Sequence, residues 1–318
     1  MWKPLSVPLL ALALAFGHSA QAFPDQPVRI VVPNAPGGPV DVVTRVLGEA
    51  LGQRWNQAVI VDNRPAGGGV VAGNQVARAK PDGHTLGLVV QSAVTILPFI
   101  MESLPYDPVG DFAPISLVAR TPFVFLSAAN GPIKTWQDAV DTAKSREITL
   151  GSYPAGTAFH LTWEMARRQA GIDGLYVPAN SGTQVQAELA NGDLDLALEA
   201  PSSAKGMIDA GKLRALAITS PQRLPILPDT PTLDEAGLKG FAFEPWFSLM
   251  APAGTPDAVI EQIRQDLAAV LEQPEVRKQL DFFGMVPITT TPAELTRIIA
   301  EEREITLPLL REMGLAKH

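Results

Sequence analysis

Short apolar runs alternate with helix-patterned stretches along nearly the whole chain, and no other feature of the sequence limits the possible folds as much. Residues 28–32, 58–61, 86–90, 148–152, 175–178, 194–198, 213–219 and 247–250 read as strands. Helical patterns at 41–54, 70–79, 158–169 and 184–190 stand between them, and two longer ones, 256–272 and 292–307, close the chain. Strands this short and this apolar are buried on both faces, so the alternation predicts mostly parallel sheets flanked by helices. Thr255-Pro256 and Thr291-Pro292 each place a hydroxyl before a proline, the pattern of a capped helix start. Thr291 to Glu294 and Ser181 to Gln184 have capping-box spacing.

Two lobes fit the pattern better than one large doubly wound sheet. The apolar tract around 117–125, broken by Arg120-Thr121-Pro122, is the expected crossing from one sheet into another. A return is expected within 220–250, a proline-rich stretch. The expected division is 23–121 with 223–318 in the first lobe and 122–222 in the second.

Residues 1–22 read as an export signal. Residues 5–16 are an apolar run, too short to span a bilayer, and Ala20-Gln21-Ala22 is a cleavage signature. Cleavage after Ala22 predicts an exported chain. It has no cysteine, which removes disulfides, a cysteine nucleophile and cysteine-based metal sites. With few histidines besides, neither metal nor cofactor is expected. The net charge of −8, or −9 once Lys3 is removed, argues against nucleic acid. It does not oppose a small anionic ligand, because a local site can run against the global charge.

The links after the strands carry the chemistry. Pro33-Asn34-Ala35-Pro36-Gly37-Gly38-Pro39 joins the first strand to an amphipathic helix. It lies at the carboxyl end of a parallel strand, where open α/β sheets bind ligands. Glycines there let main-chain N–H groups approach a ligand, and the next helix presents its free amides and positive dipole end. Such a link can cradle an anion or be only a tight turn. Related links follow at 63–69, 152–157 and 180–183, from both halves of the chain. Asp41 has two open roles: capping the helix start or meeting the ligand. Arg64 and Arg120 are left outside the site as solvated or acid-paired, and Trp163 is expected in the core.

Several segments, VRIVVPNAPGGPVDVVTR, VDNRPAGGGVVAG, AKPDGHTL, LPYDPVGDFAPISLVA and AGKLRALAITSPQRLPILPDTPTLDEAGL among them, resemble the Bug-type (TctC-like) solute-binding proteins of tripartite tricarboxylate transporters. The resemblance implies an α/β, two-lobed periplasmic binding protein of type II-like build, monomeric, with a ligand cleft between the lobes. It implies a small carboxylate ligand and a membrane permease of one large and one small subunit as partner. Carried over residue by residue, it implies ligand contacts at Ala35, Pro36, Gly37, Gly38 and Asp41; Asn34, and Gln91 and Ser92 after the third strand, are expected beside them. In the second lobe it implies Ser152, Gly156, Thr157 and His160, with Glu199 where aspartate is common and Trp246 where an aromatic is common; Asn180, Ser181, Gly182 and Thr183 are expected at the site as a strand-to-helix link. Asn34 stands in place of a usual aromatic, and Val94 and Leu97 in place of polar residues. Ala179-Asn180-Ser181 lacks a usual cation. These departures point to an acid less polar than usual, such as an aromatic carboxylate.

Enzyme signatures are weak. Gly67-x-Gly69-x-x-Ala72 is a loose dinucleotide fingerprint that does not open directly off its strand and has no acid after the next one. There is no G-x-S-x-G, phosphate-loop lysine or H-E-x-x-H pattern. An exported α/β enzyme acting on small organic acids is the alternative, and catalytic turnover separates it from a receptor.

Overall fold

A computed structural model describes residues 23–179 and 181–317. The expected signal peptide and its cleavage site, Asn180 and His318 lie outside the described residues. In the first half the elements are β1 (Val28–Val32), α1 (Pro39–Trp55), β2 (Val59–Asn63), α2 (Val70–Ala77), β3 (Thr85–Val90), α3 (Gln91–Thr95), α4 (Leu97–Ile100), β4 (Phe112–Arg120), β5 (Val124–Ala128), α5 (Trp136–Ser145) and β6 (Ile148–Ser152). Then follow α6 (Ala158–Ala170), β7 (Gly174–Pro178), α7 (Gly182–Asn191), β8 (Leu196–Glu199), α8 (Pro201–Asp209), β9 (Leu213–Ile218), β10 (Trp246–Pro252), α9 (Asp257–Leu271), α10 (Pro274–Phe282), β11 (Val286–Pro287) and α11 (Pro292–Glu312).

Two sheets form, in the orders β11-β4-β10-β3-β1-β2 and β7-β6-β8-β5-β9. β1 pairs in parallel with β2 and β3, and β6 with β7 and β8. β10 and β5 are antiparallel to both their neighbours. The reason is directional. Each of these strands starts at the interlobe cleft, just after the chain has crossed, whereas β1, β3, β6 and β8 end there. The sheets are therefore mixed rather than purely parallel. The two crossings are tied together: Thr121 donates to the Pro245 carbonyl through its N–H at 2.6 Å and its hydroxyl at 2.9 Å.

Each sheet has its own core. In the first lobe Val43, Leu47, Ala50 and Leu51, one face of α1, pack on Val28, Ile30 and Val32. Each such valine, leucine or isoleucine side chain, fully buried, contributes about 1.5–3 kcal/mol. α1 lies close to β2 because Gly48 has no side chain; a Cβ there would sit 3.1 Å from a Val59 methyl. Asn56 ends α1 in the left-handed conformation, which asparagine tolerates better than most residues. In the second lobe Phe125, Trp136 and Trp163 are fully buried together, which puts Trp163 in the core as expected.

Leu233, Leu238 and Phe241 belong to the same second core, and Leu224 and Leu227 to the cluster on the other face of that sheet. Residues 223–241 thus pack with the second lobe, and the return lies near 243–246, late in the window the prolines marked. Thr291 caps α11 in a full capping box, and Ser181 accepts from the Gln184 N–H at the start of α7. Thr255 does not cap: α9 starts at Asp257 with Pro256 at the cap position, and the Thr255 hydroxyl donates to the Pro252 carbonyl.

Candidate functional site

A cavity of about 310 Å³ lies between the lobes, at the carboxyl ends of β1, β3, β6 and β8, where an open α/β sheet binds ligands. Three helices of more than eight residues begin on it, α1 with Pro39 and Val40, α6 with Ala158 and Phe159, and α8 with Pro201, Ser202 and Ser203, and the five-residue α3 opens there with Gln91 and Ser92. None of the three has a side-chain cap. Their first amides and positive dipole ends therefore face a shared space. α9 and α10 also lack side-chain caps, but none of their first residues lines this cavity.

The walls are aromatic. Six of the chain's twenty aromatic residues line the cavity: Phe123, Tyr153, Phe159, Trp246, Phe247 and Phe283. Phe123 stacks on Phe159 with ring centroids 3.8 Å apart, and Tyr153 leans on Phe159 at 4.5 Å. No lysine or arginine is among the lining residues. Arg120 instead pairs with Glu244 at 3.8 Å, and Arg64 with Asp62 at 2.9 Å, as expected of residues outside the site. Among the described residues, no cluster of three or more histidines or carboxylates could hold a metal, and no helix is long and apolar enough to cross a membrane.

Of the residues singled out in the sequence, Asn34, Gln91, Ser92 and Trp246 line the cavity. Ala35, Pro36, Gly37 and Gly38 form the rim between Asn34 and Pro39 without lining it. Gly156 and Thr157 stand in the same relation to Tyr153 and Ala158. Gly37 and Gly156 both adopt positive φ and play matching parts. The Gly37 N–H donates to Asp41 Oδ2 at 2.8 Å, and the Gly156 N–H to His160 Nδ1 at 3.2 Å. In each lobe the side chain four residues on holds the loop closed, so these two amides are bound within their own loops.

The two acceptors differ in charge. Asp41 is buried and also accepts from Arg45 and from the Asn63 amide at 2.8 Å. Burial works to raise its pKa, but the Arg45, Gly37 and Asn63 hydrogen bonds outweigh it and hold the carboxyl below its ordinary range. The role the structure shows for Asp41 is holding the loop before α1 closed, not capping the helix. Asp41→Ala is expected to cost about 2–3 kcal/mol, the worth of a charged acceptor serving several donors, and Asp41→Asn less. Urea unfolding measures both, and a loss under about 0.5 kcal/mol for the alanine variant would rule out the loop-holding role. His160 stacks on Tyr176 at 4.1 Å, and burial lowers its pKa. Accepting through Nδ1, the ring is neutral and carries its proton on Nε2.

Ser152 is fully buried and its hydroxyl donates to the Leu198 carbonyl at 2.7 Å, tying β6 to β8 beneath the cleft. The Thr157 hydroxyl donates to the Pro154 carbonyl. Ser181 caps α7, and Thr183 is exposed. Glu199 is fully buried at the end of β8, where the Tyr153 hydroxyl donates to its Oε2 at 3.3 Å. Burial pushes its carboxyl up to about 7. Gly182 leaves room for it: a Cβ there would lie 3.0 Å from both carboxyl oxygens. Behind the opposite wall Glu302 of α11 accepts from Trp246 Nε1 at 2.8 Å and from Gln91 Nε2 at 2.7 Å. Burial raises its pKa, against the pull of those two donors.

Sequence reasoning missed Thr121, Phe123, Phe159, Ser202, Ser203 and Phe283. Ser202 and Ser203 open α8, which was not foreseen because Pro-Ser-Ser-Ala-Lys-Gly is poor in strong helix formers. Ala200-Pro201, directly after a strand, was the available signal.

Comparison with known proteins agrees with this fold. The sequence matches the profile of the tripartite tricarboxylate transporter family receptor, TctC, over residues 43–315. A UPF0065 protein of the tcbD-tcbE intergenic region of Pseudomonas sp. strain P51 is 31% identical over 316 residues, covering 96% of this chain and 94% of that one. The structure of the periplasmic binding protein BugD superposes with a TM-score of 0.76 at 30% identity, over 93% of this chain and 100% of that one. Rpa4515 of R. palustris, solved with adipate, gives 0.80 at 27% identity, over 92% and 99%. MatC of Rhodopseudomonas palustris, solved with malate, gives 0.74 at 28% identity, over 91% and 100%.

Proposed function

This chain belongs to the tripartite tricarboxylate transporter receptor family, and from that premise we propose that it is a periplasmic receptor for a small carboxylic acid, which it delivers to a membrane permease of one large and one small subunit. The observation that carries the ligand class is the convergence of three uncapped helix starts on one cavity without an arginine or lysine in its wall. Main-chain amides and the serine hydroxyls of Ser92, Ser202 and Ser203 then supply the grip on the carboxylate. Asn34, Gln91, Ser92 and Trp246 contact the ligand, and the loops held by Asp41 and His160 shape the rim.

The aromatic walls favour a flat or apolar body behind that carboxylate. The relatives solved with adipate and malate support the acid and leave the body to this chain's own lining. The cavity is at the small end of the range for ligand pockets, which suits an acid of one ring. Thermal shift and calorimetry with benzoate, phthalate, adipate and malate test the reading. A bound acid at a hundred times its Kd stabilises the chain by about 2.7 kcal/mol, with one-to-one stoichiometry and no product. Failure of every acid to raise the melting temperature would reject it, and turnover of any of them would favour an enzyme.

A further inference from the structure

Among the described residues, three of the buried side-chain atoms without a hydrogen-bond partner sit around the cleft: Asn34 Oδ1, Gln91 Oε1 and Glu199 Oε1. All three are oxygens. Buried polar groups are normally satisfied, and one that is not marks a place where a partner belongs. Asn34 and Gln91 line the cavity itself, and Glu199 lies beneath Tyr153, which does.

Gln91 is the decisive one, because its orientation is fixed. It is 2% exposed, and its Nε2 donates to Glu302 Oε2 at 2.7 Å. Glu302 cannot turn away, since both its oxygens also accept from Trp246 Nε1, at 2.8 and 2.9 Å. Exchanging the oxygen and nitrogen of Gln91 would set its carbonyl against a carboxylate oxygen. The amide is therefore held with Nε2 on Glu302 and Oε1 unpaired, on a residue that lines the cavity. A ligand carboxylate is repelled there, and a plain hydrocarbon edge would leave the oxygen unpaired at a cost.

Resting on the receptor reading above, we infer that the cleft selects a carboxylic acid that brings its own hydrogen-bond donor, a hydroxyl on a flat apolar body, and that Gln91, positioned by Glu302, recognises that donor. Aromatic walls accept the ring, uncapped helix starts and serines accept the carboxylate, and Gln91 Oε1 accepts from the hydroxyl. Glu302 touches no ligand and acts by holding the amide of Gln91.

The test is calorimetry on the chain lacking residues 1–22, with 3-hydroxybenzoate, 4-hydroxybenzoate, benzoate and 4-formylbenzoate, the last offering an acceptor where the others offer a donor or nothing. At least one hydroxybenzoate is expected to bind roughly tenfold or more tighter than benzoate, since a site built for a hydroxyl penalises its absence. Gln91→Met, which keeps the length but removes the acceptor, is expected to bring the hydroxy acids to within about twofold of benzoate. Glu302→Gln is expected to invert the preference. Its side-chain oxygen still accepts from Trp246, its NH₂ donates to Gln91, and the Gln91 amide turns over to offer N–H to the cleft. The formyl acid then gains on the hydroxy acid, an outcome that a merely structural role for Glu302 would not produce. Gln91→Met and Glu302→Gln are independent, so one that fails to fold leaves the other to decide. Benzoate binding with no advantage for either hydroxy acid, or an advantage unchanged in the folded variants, overturns the inference and leaves the receptor reading standing. Binding of none of these acids, nor of adipate or malate, overturns both.

Discussion

Trp246→Ala is expected to be the most damaging single change at the cleft, costing about 3–5 kcal/mol of stability and abolishing ligand binding. Trp246 starts β10, the strand that brings the chain back into the first sheet, and is 2% exposed. Its ring packs with Val31, Val89, Leu117 and Met250 on one face of that sheet. Truncation removes this packing and leaves a cavity. It also takes a donor from Glu302, leaving a buried carboxyl held by Gln91, and loss of one partner of a buried charged group adds to the cost. Trp246→Phe separates the two contributions: it keeps most of the volume and loses only the N–H, so an intermediate loss is expected. Urea unfolding of both variants gives the comparison. A loss under about 1 kcal/mol for the alanine variant would mean that the site relaxes around the missing ring, and that Trp246 does not organise this wall.

Glu199→Gln is expected to stabilise the protein above neutral pH and to leave it unchanged in acid. The folded carboxyl titrates at about 7 against an ordinary 4.5, because burial disfavours its charge. A raised acid pKa means that the folded chain holds a proton the unfolded chain has released. The stability this gives is fully present below pH 4.5 and is lost progressively as pH rises through 7. The shift corresponds to roughly 3 kcal/mol. Glutamine keeps the acceptor for Tyr153 without the titration. The stability curves of wild type and variant should therefore meet near pH 4 and diverge by roughly that amount by pH 8. Parallel curves across this range would show that the Glu199 carboxyl titrates alike in the folded and the unfolded chain.

Much of the fold was legible because it is encoded locally. The run Val-Arg-Ile-Val-Val at 28–32 has one charged residue among four β-branched ones and forms the strand β1 over those five positions. Residues 148–152 form β6 with the bounds the pattern gave. The crossing at Thr121 and Pro122 was visible as a break in an apolar tract. α5, α8 and α10 were not, because each is short and two of them open on proline in segments without a long apolar stripe. The antiparallel direction of β5 and β10 could not be read from alternation, which registers burial and not the side from which a strand enters its sheet.

The candidate site was legible in part for the same reason. The links at 33–39 and 152–157 pointed to the cavity, since a strand's carboxyl end is fixed by chain direction alone, whereas no described residue of the links at 63–69 and 180–183 lines it. The links could not reveal which of their amides stay free. Asp41 and His160 reach back four residues to hold Gly37 and Gly156, a contact that depends on how each loop turns. Nor could Phe123 and Phe283 be chosen from other apolar residues, because lining a cavity or filling a core makes the same demand on a phenylalanine.

The sequence by itself determined the order of strands and helices, the two-lobed family and the position of the cleft. These follow from periodicity and turn chemistry, which act between residues a few positions apart. Only the tertiary structure decided which groups line the cavity and in what state. The amide of Gln91 is oriented by a carboxylate 211 residues away, with Trp246 between them in the chain. Such a contact exists only once both crossings have closed the first sheet around β10.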